Sequence, residues 1–293
     1  MNLSATQIDQ LERMGYLSVS AIADLSEVDA IKDVLMRLLD KKAGSREGAF
    51  FDMLATETNP TARDLIEIRN PMDYAQKLAA TSYVFHAKEI ARQVLGENAR
   101  LWFDLVLLKS AVSNAPTPWH QDEAFREPQF EYHEIAFWMP LQDTAIENGC
   151  LSFIPESHKR RVLAHRSPGN DPSAHALECC GEFDPTGAVA CPLQAGDCTI
   201  HYGRTLHHAG PNLSDRPRYA YILGFHLPPR RGEEERSFPW LAEKHTRDQA
   251  LRRRWLLRGG IFVTAFRKWR RGGDFSLDSI RYAARRTARF IRK

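Results

Sequence analysis

Apolar positions in the first hundred residues recur at the 3.6-residue period of helices buried on one face. Ser4 stands where a cap would precede a helix starting near Ala5, with Leu11 and Met14 on its inner side. Val28, Ile31, Val34, Leu35 and Leu38 follow Ser26 with the same period. Tyr74, Leu78, Tyr83, Val84, Ile90 and Val94 predict a further helical stretch from Met72 to Leu95. Between these segments, Ala43 to Asn70 is punctuated by Gly, Pro and Thr, which predicts a loop with the reach of a lid. From Leu101 onward the pattern changes to short apolar runs. Trp102 to Leu108 and Ile135 to Leu141 have strand character, as does Leu151 to Ile154 after the turn signal Asn148-Gly149. Cys198 to Tyr202, opened by Gly196-Asp197, and Tyr219 to Phe225 complete the set. Helices followed by many short strands predict a sandwich or barrel with helices packed on one side.

Composition narrows this picture. The chain has 293 residues, 43% hydrophobic and 26% charged, ordinary for a globular protein of one large domain or two small ones. No apolar run approaches the roughly 20 residues of a membrane span, and the first residues lack the features of a secretory leader. Five cysteines without paired spacing predict free thiols and a cytoplasmic location, although adjacent Cys179 and Cys180 leave a redox pair open. The net charge of +3 conceals a division: residues 251–293 carry 14 Lys and Arg against Asp274 and Asp278, a net +12, and residues 1–250 carry −9. The chain therefore divides into a body, 1–250, and a basic tail, 251–293. Leu277, Ile280, Ala284, Ala288 and Ile291 form one helical face of that tail, with Arg281, Arg285, Arg289 and Arg292 beside or opposite it. Two readings stay open: a solvated helix on the acidic body, or a basic amphipathic segment peripheral to an anionic inner-membrane face. Nucleic acid is not an expected partner.

Chemistry enters with Trp119-His120-Gln121-Asp122. Side chains two apart on an extended strand share a face, so His120 and Asp122 can offer an imidazole and a carboxylate to one ion. Those are two members of a two-histidine, one-carboxylate set, which leaves metal positions open for a cosubstrate and oxygen. Alone, the pair fits a surface loop as well. A second block runs from Gly196-Asp197 through Thr205-Leu206-His207-His208-Ala209-Gly210-Pro211-Asn212 to Arg218. His207 lies 85 residues beyond Asp122, enough to return on a neighbouring strand, and Arg218 lies 11 beyond His207. A guanidinium there can pair bidentately with an oxo-diacid.

Taken together, Trp119 to Asp122, Glu147-Asn148-Gly149-Cys150-Leu151-Ser152-Phe153-Ile154-Pro155-Glu156-Ser157-His158, Gly196-Asp197 and the block from His207 to Arg218 resemble the phytanoyl-CoA dioxygenase family of iron(II)/2-oxoglutarate oxygenases. The resemblance covers Leu101 to His226 well and the N-terminal helices loosely. It implies a mainly β double-stranded β-helix, a jelly roll of cupin type, with the metal between its sheets. It implies His120, Asp122 and His207 as iron ligands, Arg218 on the far carboxylate of 2-oxoglutarate, and Lys109 and Trp138 lining the cosubstrate pocket. Two departures stand out: Glu156 where relatives have a glycine in the Pro-Gly-Ser-His turn, and Ala209 where many have Ser. Among competitors, His208 belongs on the opposite strand face, His201 has the place of a packed, hydrogen-bonded histidine, and Arg216 precedes Pro217 in a solvent-facing turn.

The expected function is an iron(II)/2-oxoglutarate-dependent dioxygenase that uses O2 to hydroxylate an unactivated carbon of a small-molecule or lipid-linked substrate. Asp122 favours hydroxylation, since halogenating relatives lack this carboxylate. Gln121, Phe125, Arg126, Tyr132 and Trp138 are candidate pocket residues, with Arg126 open to an anionic substrate or to solvent. Two other classes remain: a metal-binding β-helix protein acting as a hydrolase, and a membrane-surface binding module. Neither has need of Arg218.

Overall fold

The computed structural model describes residues 1–60 and 64–270, with side chains to residue 267. The predicted face from Leu277 to Ile291 lies outside these residues. The start of the chain folds as its periodicity demands. Helix α1 (Ala5–Met14) opens on a reciprocal cap: the Gln7 N–H donates to the Ser4 hydroxyl, and the Ser4 N–H to the Gln7 side chain. Asp24 caps α2 (Leu25–Asp40), which buries Val28, Ile31, Val34, Leu35, Leu38 and Leu39 on one stripe. The helical stretch expected from Met72 to Leu95 is broken. It consists of two short 3₁₀ turns, Pro71–Asp73 and Gln76–Ala80, and then α3 (Ser82–Leu95). The break is local chemistry: Thr81 takes an extended backbone and its hydroxyl accepts the Val84 N–H, which starts a new helix.

Eleven strands build two facing antiparallel sheets. They are β1 (Tyr16–Val19), β2 (Phe50–Asp52), β3 (Leu65–Arg69), β4 (Arg100–Lys109), β5 (Thr117–His120), β6 (Glu134–Pro140), β7 (Leu151–Phe153), β8 (Val189–Cys191), β9 (Cys198–Tyr202), β10 (His207–Ala209) and β11 (Arg218–His226). The larger sheet has the order β1-β9-β6-β11-β4-β3-β2, and the smaller β8-β7-β10-β5. Strands β2 and β3 lie where the sequence predicted a lid-like loop. Strand β2 is the sheet edge and β3 its neighbour; at three and five residues they are too short to show an alternation amid the surrounding Gly and Pro.

The two-residue period of β11 divides the interior. Tyr221, Leu223 and Phe225 face α1, α2 and α3 in one core. Ala220 and Ile222 face the other sheet, where they meet Tyr16, Trp138, Leu151, Phe153 and Ala209. Arg218 falls on this inward side as well. The Tyr83 hydroxyl fastens α3 to the larger sheet by donating to the carbonyls of Phe137 and Tyr221. This is the mainly β jelly-roll architecture with flanking helices that the family resemblance implied.

After the sheets come α4 (Pro239–Glu243), α5 (Arg247–Trp255) and α6 (Ile261–Arg270). A wide turn at Leu256–Gly260, relaxed through Gly259 at φ 93°, separates the last two. Helix α5 runs through residue 250, where the charge changes sign. It packs so closely on Gly48 that a Cβ there would lie 2.2 Å from the Asp248 carbonyl oxygen. Arg267 of α6 pairs with Glu47 at 2.6 Å. No helix among the described residues is long and apolar enough to cross a membrane.

Candidate metal centre

Strand pairing brings the distant histidines together. His120 at the end of β5 is the cross-strand partner of His207 at the start of β10, and their rings lie 4.2 Å apart. Strand β5 ends at His120, so Asp122 is not on the strand: it opens the 3₁₀ turn Asp122–Phe125. Gln121 between them keeps extended dihedrals of −118° and 130°, which preserves the shared face expected of alternate residues. The Asp122 Oδ1 lies 3.7 Å from His120 Nε2 and 4.0 Å from His207 Nε2. One ligand atom from each of the three lies within 4.8 Å of the others, the only such group of three among the described residues.

Backbone carbonyls set the tautomers. His120 Nδ1 is 2.8 Å from the Pro118 carbonyl oxygen, and His207 Nδ1 is 2.9 Å from that of Thr205. A carbonyl only accepts, so Nδ1 carries the proton and each Nε2 lone pair is presented to Asp122. Burial lowers both pKa values, His207 the more strongly, with His120 and His201 beside it. Burial alone would raise the Asp122 carboxyl, but the His201 contact and the surrounding imidazoles hold it well below the usual range. Two neutral imidazoles and one carboxylate on a common face are a donor set that fits iron(II) with coordination positions to spare.

His201 was expected as a packed, hydrogen-bonded histidine. It is packed, but its Nε2 is turned to the second carboxylate oxygen, 3.5 Å from Asp122 Oδ2, and its ring is 4.4 Å from that of His207. The signal was there in Cys198 to Tyr202: Thr199 and His201 are its inward positions, opposite Trp138 and Ala136 of β6. His208 faces the other way and stacks on Trp119 at 4.0 Å. Arg216 is exposed.

Arg218 begins β11 directly across from Lys109 of β4. Its side chain is 1% exposed, and none of Nε, Nη1 and Nη2 has a hydrogen-bond partner among the described residues. Its guanidinium carbon lies 5.3 Å from the centre of the Trp138 ring. Burial lowers its pKa to about 10. Lys109, also buried, donates to the carbonyls of Ala209 and Gly210. Desolvation, with Arg218 alongside, pulls Lys109 down to about 6. A buried planar cation with all its donors open fits a carboxylate brought by a ligand. Such a carboxylate completes the site expected for 2-oxoglutarate.

His120, Asp122, His207, Trp138 and Arg218 all line one cleft of about 2160 Å³. The other candidates divide. Phe125 sits edge-on to His120 with ring centres 6.2 Å apart. Tyr132 stacks on Trp102 at 5.6 Å. Arg126 is neither a free anion receptor nor a solvated loop residue. Its Nε donates to Glu134 at 3.0 Å and its guanidinium lies 4.3 Å from the Trp102 ring centre. Gln121 is wholly buried, its amide donating to the Arg204 carbonyl and its oxygen accepting the Leu163 N–H. The departure from the family pattern at Glu156 keeps the turn that the glycine makes easy. Glu156 has φ 64°, the left-handed region in which glycine is at ease. The five cysteines are free, and Cys150, Cys191 and Cys198 are buried.

The phytanoyl-CoA dioxygenase (PhyH) family model matches residues 11–220. A probable alpha-ketoglutarate-dependent hypophosphite dioxygenase of Stutzerimonas stutzeri is 27% identical over 214 residues, 72% of this chain and 74% of that protein. Phytanoyl-CoA dioxygenase domain-containing protein 1 of Bos taurus is 36% identical over 113 residues, 37% and 38% of the two chains. Among solved structures, EvdO2 from Micromonospora carbonacea var. aurantiaca, complexed with 2-oxoglutarate, superposes with a TM-score of 0.70 at 30% identity. That match covers 82% of this chain and 97% of EvdO2.

Proposed function

Because the chain belongs to the phytanoyl-CoA dioxygenase family, an iron(II)/2-oxoglutarate oxygenase by its cofactors, we propose that it hydroxylates an unactivated carbon of a small or lipid-linked substrate at a centre held by His120, Asp122 and His207. The observation that carries this reading is Arg218, a buried guanidinium whose three nitrogens have no partner among the described residues, in the same cleft as the two histidines and the aspartate. A hydrolytic zinc site would leave that cation without a purpose.

Iron(II) with 2-oxoglutarate and O2 supplies the oxidising chemistry, with succinate and carbon dioxide as co-products. The chain's own contribution is placement. The carbonyls of Pro118 and Thr205 fix two imidazole rings, and His201 lies 3.5 Å from the second oxygen of Asp122. Arg218 receives the distal carboxylate of the cosubstrate, with the Trp138 ring 5.3 Å from its guanidinium carbon. Retention of Asp122 as the carboxylate supports hydroxylation over halogen transfer. On the substrate side, Phe125, Trp102, Phe103 and Phe238 give part of the cleft aromatic walls, and Arg126 and Arg236 there are paired with Glu134 and Glu123. Such walls suit a bulky, mainly apolar substrate and exclude water from the reacting carbon.

The test is succinate formation by anaerobically purified protein given iron(II), 2-oxoglutarate and then oxygen, beside Asp122→Ala and Arg218→Ala. Succinate that disappears in both variants supports the proposal. Absence both of succinate and of an absorption band dependent on iron and 2-oxoglutarate would refute it.

A further inference from the structure

Helix α6 has two apolar faces. Ile261, Thr264 and Ala265 line the cleft that reaches the metal centre. Phe262 and Val263, together with Phe266, lie on the other side of the same helix and are exposed, Phe262 by 78%. Leu257 in the preceding turn adds a further exposed apolar side chain, 59% accessible. An isolated exposed residue needs no explanation, but four within ten positions on one short segment do.

Charge around this face indicates what covers it. Arg254 and Arg258 flank it and are exposed. The sequence from Arg267 to Lys293 carries ten Lys and Arg against two acids. An apolar strip within a strongly basic segment matches the boundary between acyl chains and anionic headgroups, whereas the same face of a second copy would bring like charge against like.

We propose that the outer face of α6, with Leu257 before it, docks the protein on a bilayer bearing anionic headgroups. Leu257, Phe262 and Val263 enter the acyl boundary, and the arginines beside them meet phosphates. The opposite face of the same helix is a wall of the cleft, so docking sets the cleft against the lipid surface. Docking does not depend on the oxygenase proposal, because it is read without turnover.

The experiment is flotation of the full chain with vesicles of phosphatidylcholine, with and without phosphatidylglycerol. A variant carrying Leu257→Ser, Phe262→Ser and Val263→Ser is compared, and thermal melting confirms that it folds. Binding to the anionic vesicles, weak binding to the neutral ones, and a loss of roughly 30-fold or more in the variant are expected from the apolar area withdrawn. Anionic vesicle binding that is unchanged in the variant would assign attachment to the tail's charge and overturn the proposal. So would failure of the full chain to float, or a concentration-dependent dimer that the variant abolishes, which would make the face a contact between copies.

Discussion

Replacing Arg218 by Met separates its binding role from its place in the fold. In the protein without cosubstrate, the guanidinium is buried with no acceptor among the described residues and has Lys109 across the strand pair. An apolar side chain of similar volume in place of a poorly compensated buried charge is worth about 1–4 kcal/mol. At about 2–4 °C per kcal/mol for a domain of this size, Arg218→Met should melt several degrees higher than the natural protein. Cosubstrate binding should move the opposite way. Losing a buried charge-assisted pair costs about 2–5 kcal/mol, or roughly 30- to 5,000-fold in affinity. Arg218→Lys should fall between, since an ammonium keeps the charge without the bidentate fork. Thermal melting with Mn(II), with and without 2-oxoglutarate, reads both effects. A variant that melts lower alone and yet is stabilised normally by 2-oxoglutarate would refute the assignment.

Lys109 gives a pH signature with a definite sign. Its folded pKa of about 6 lies below its unfolded value, so the penalty of burying the charged form is full below pH 6 and is relieved as pH rises. Lys109→Met should therefore flatten the rise in melting temperature of the cosubstrate-free protein between pH 6 and alkaline pH, measured across a buffer series. His201→Leu should leave the fold intact but weaken metal binding about 10- to 100-fold, as loss of a group supporting a ligand typically does; a cobalt titration followed by its absorption would show it, and unchanged affinity would remove His201 from the centre. Val112 is β-branched, 73% exposed and held at φ 50°, so Val112→Asn should relieve about 1 kcal/mol and raise the melting temperature by about 3 °C.

What the sequence disclosed, and what it hid, follows from the range of the interactions. The caps at Ser4 and Thr205-to-Arg218 punctuation depend on neighbours a few residues away and were legible. The apolar run from Tyr219 to Phe225 that forms β11 was legible for the same reason. Strand β3 takes its form from pairing with β4, and β2 at the edge from pairing with β3, which no local pattern records. The break at Thr81 was hidden because apolar spacing continues through it. The strand Cys198 to Tyr202 carries the inward placement of His201, but its role is set by Asp122, 79 residues earlier. Arg126 likewise became explicable only when Glu134 and Trp102 were placed around it.

The pairing of His120 with His207 has a consequence for how the protein acquires its metal. The two residues are 87 positions apart, and they meet only when β5 and β10 have aligned in register. Before that, the growing chain offers an ion little more than His120 and Asp122, a local pair with weak hold. Loop closure over such a separation is a late event in a β-rich fold. The ion therefore cannot template the early steps of folding. An ion that needs both histidines binds only after the small sheet has closed, so its retention would report that the polypeptide has reached this register.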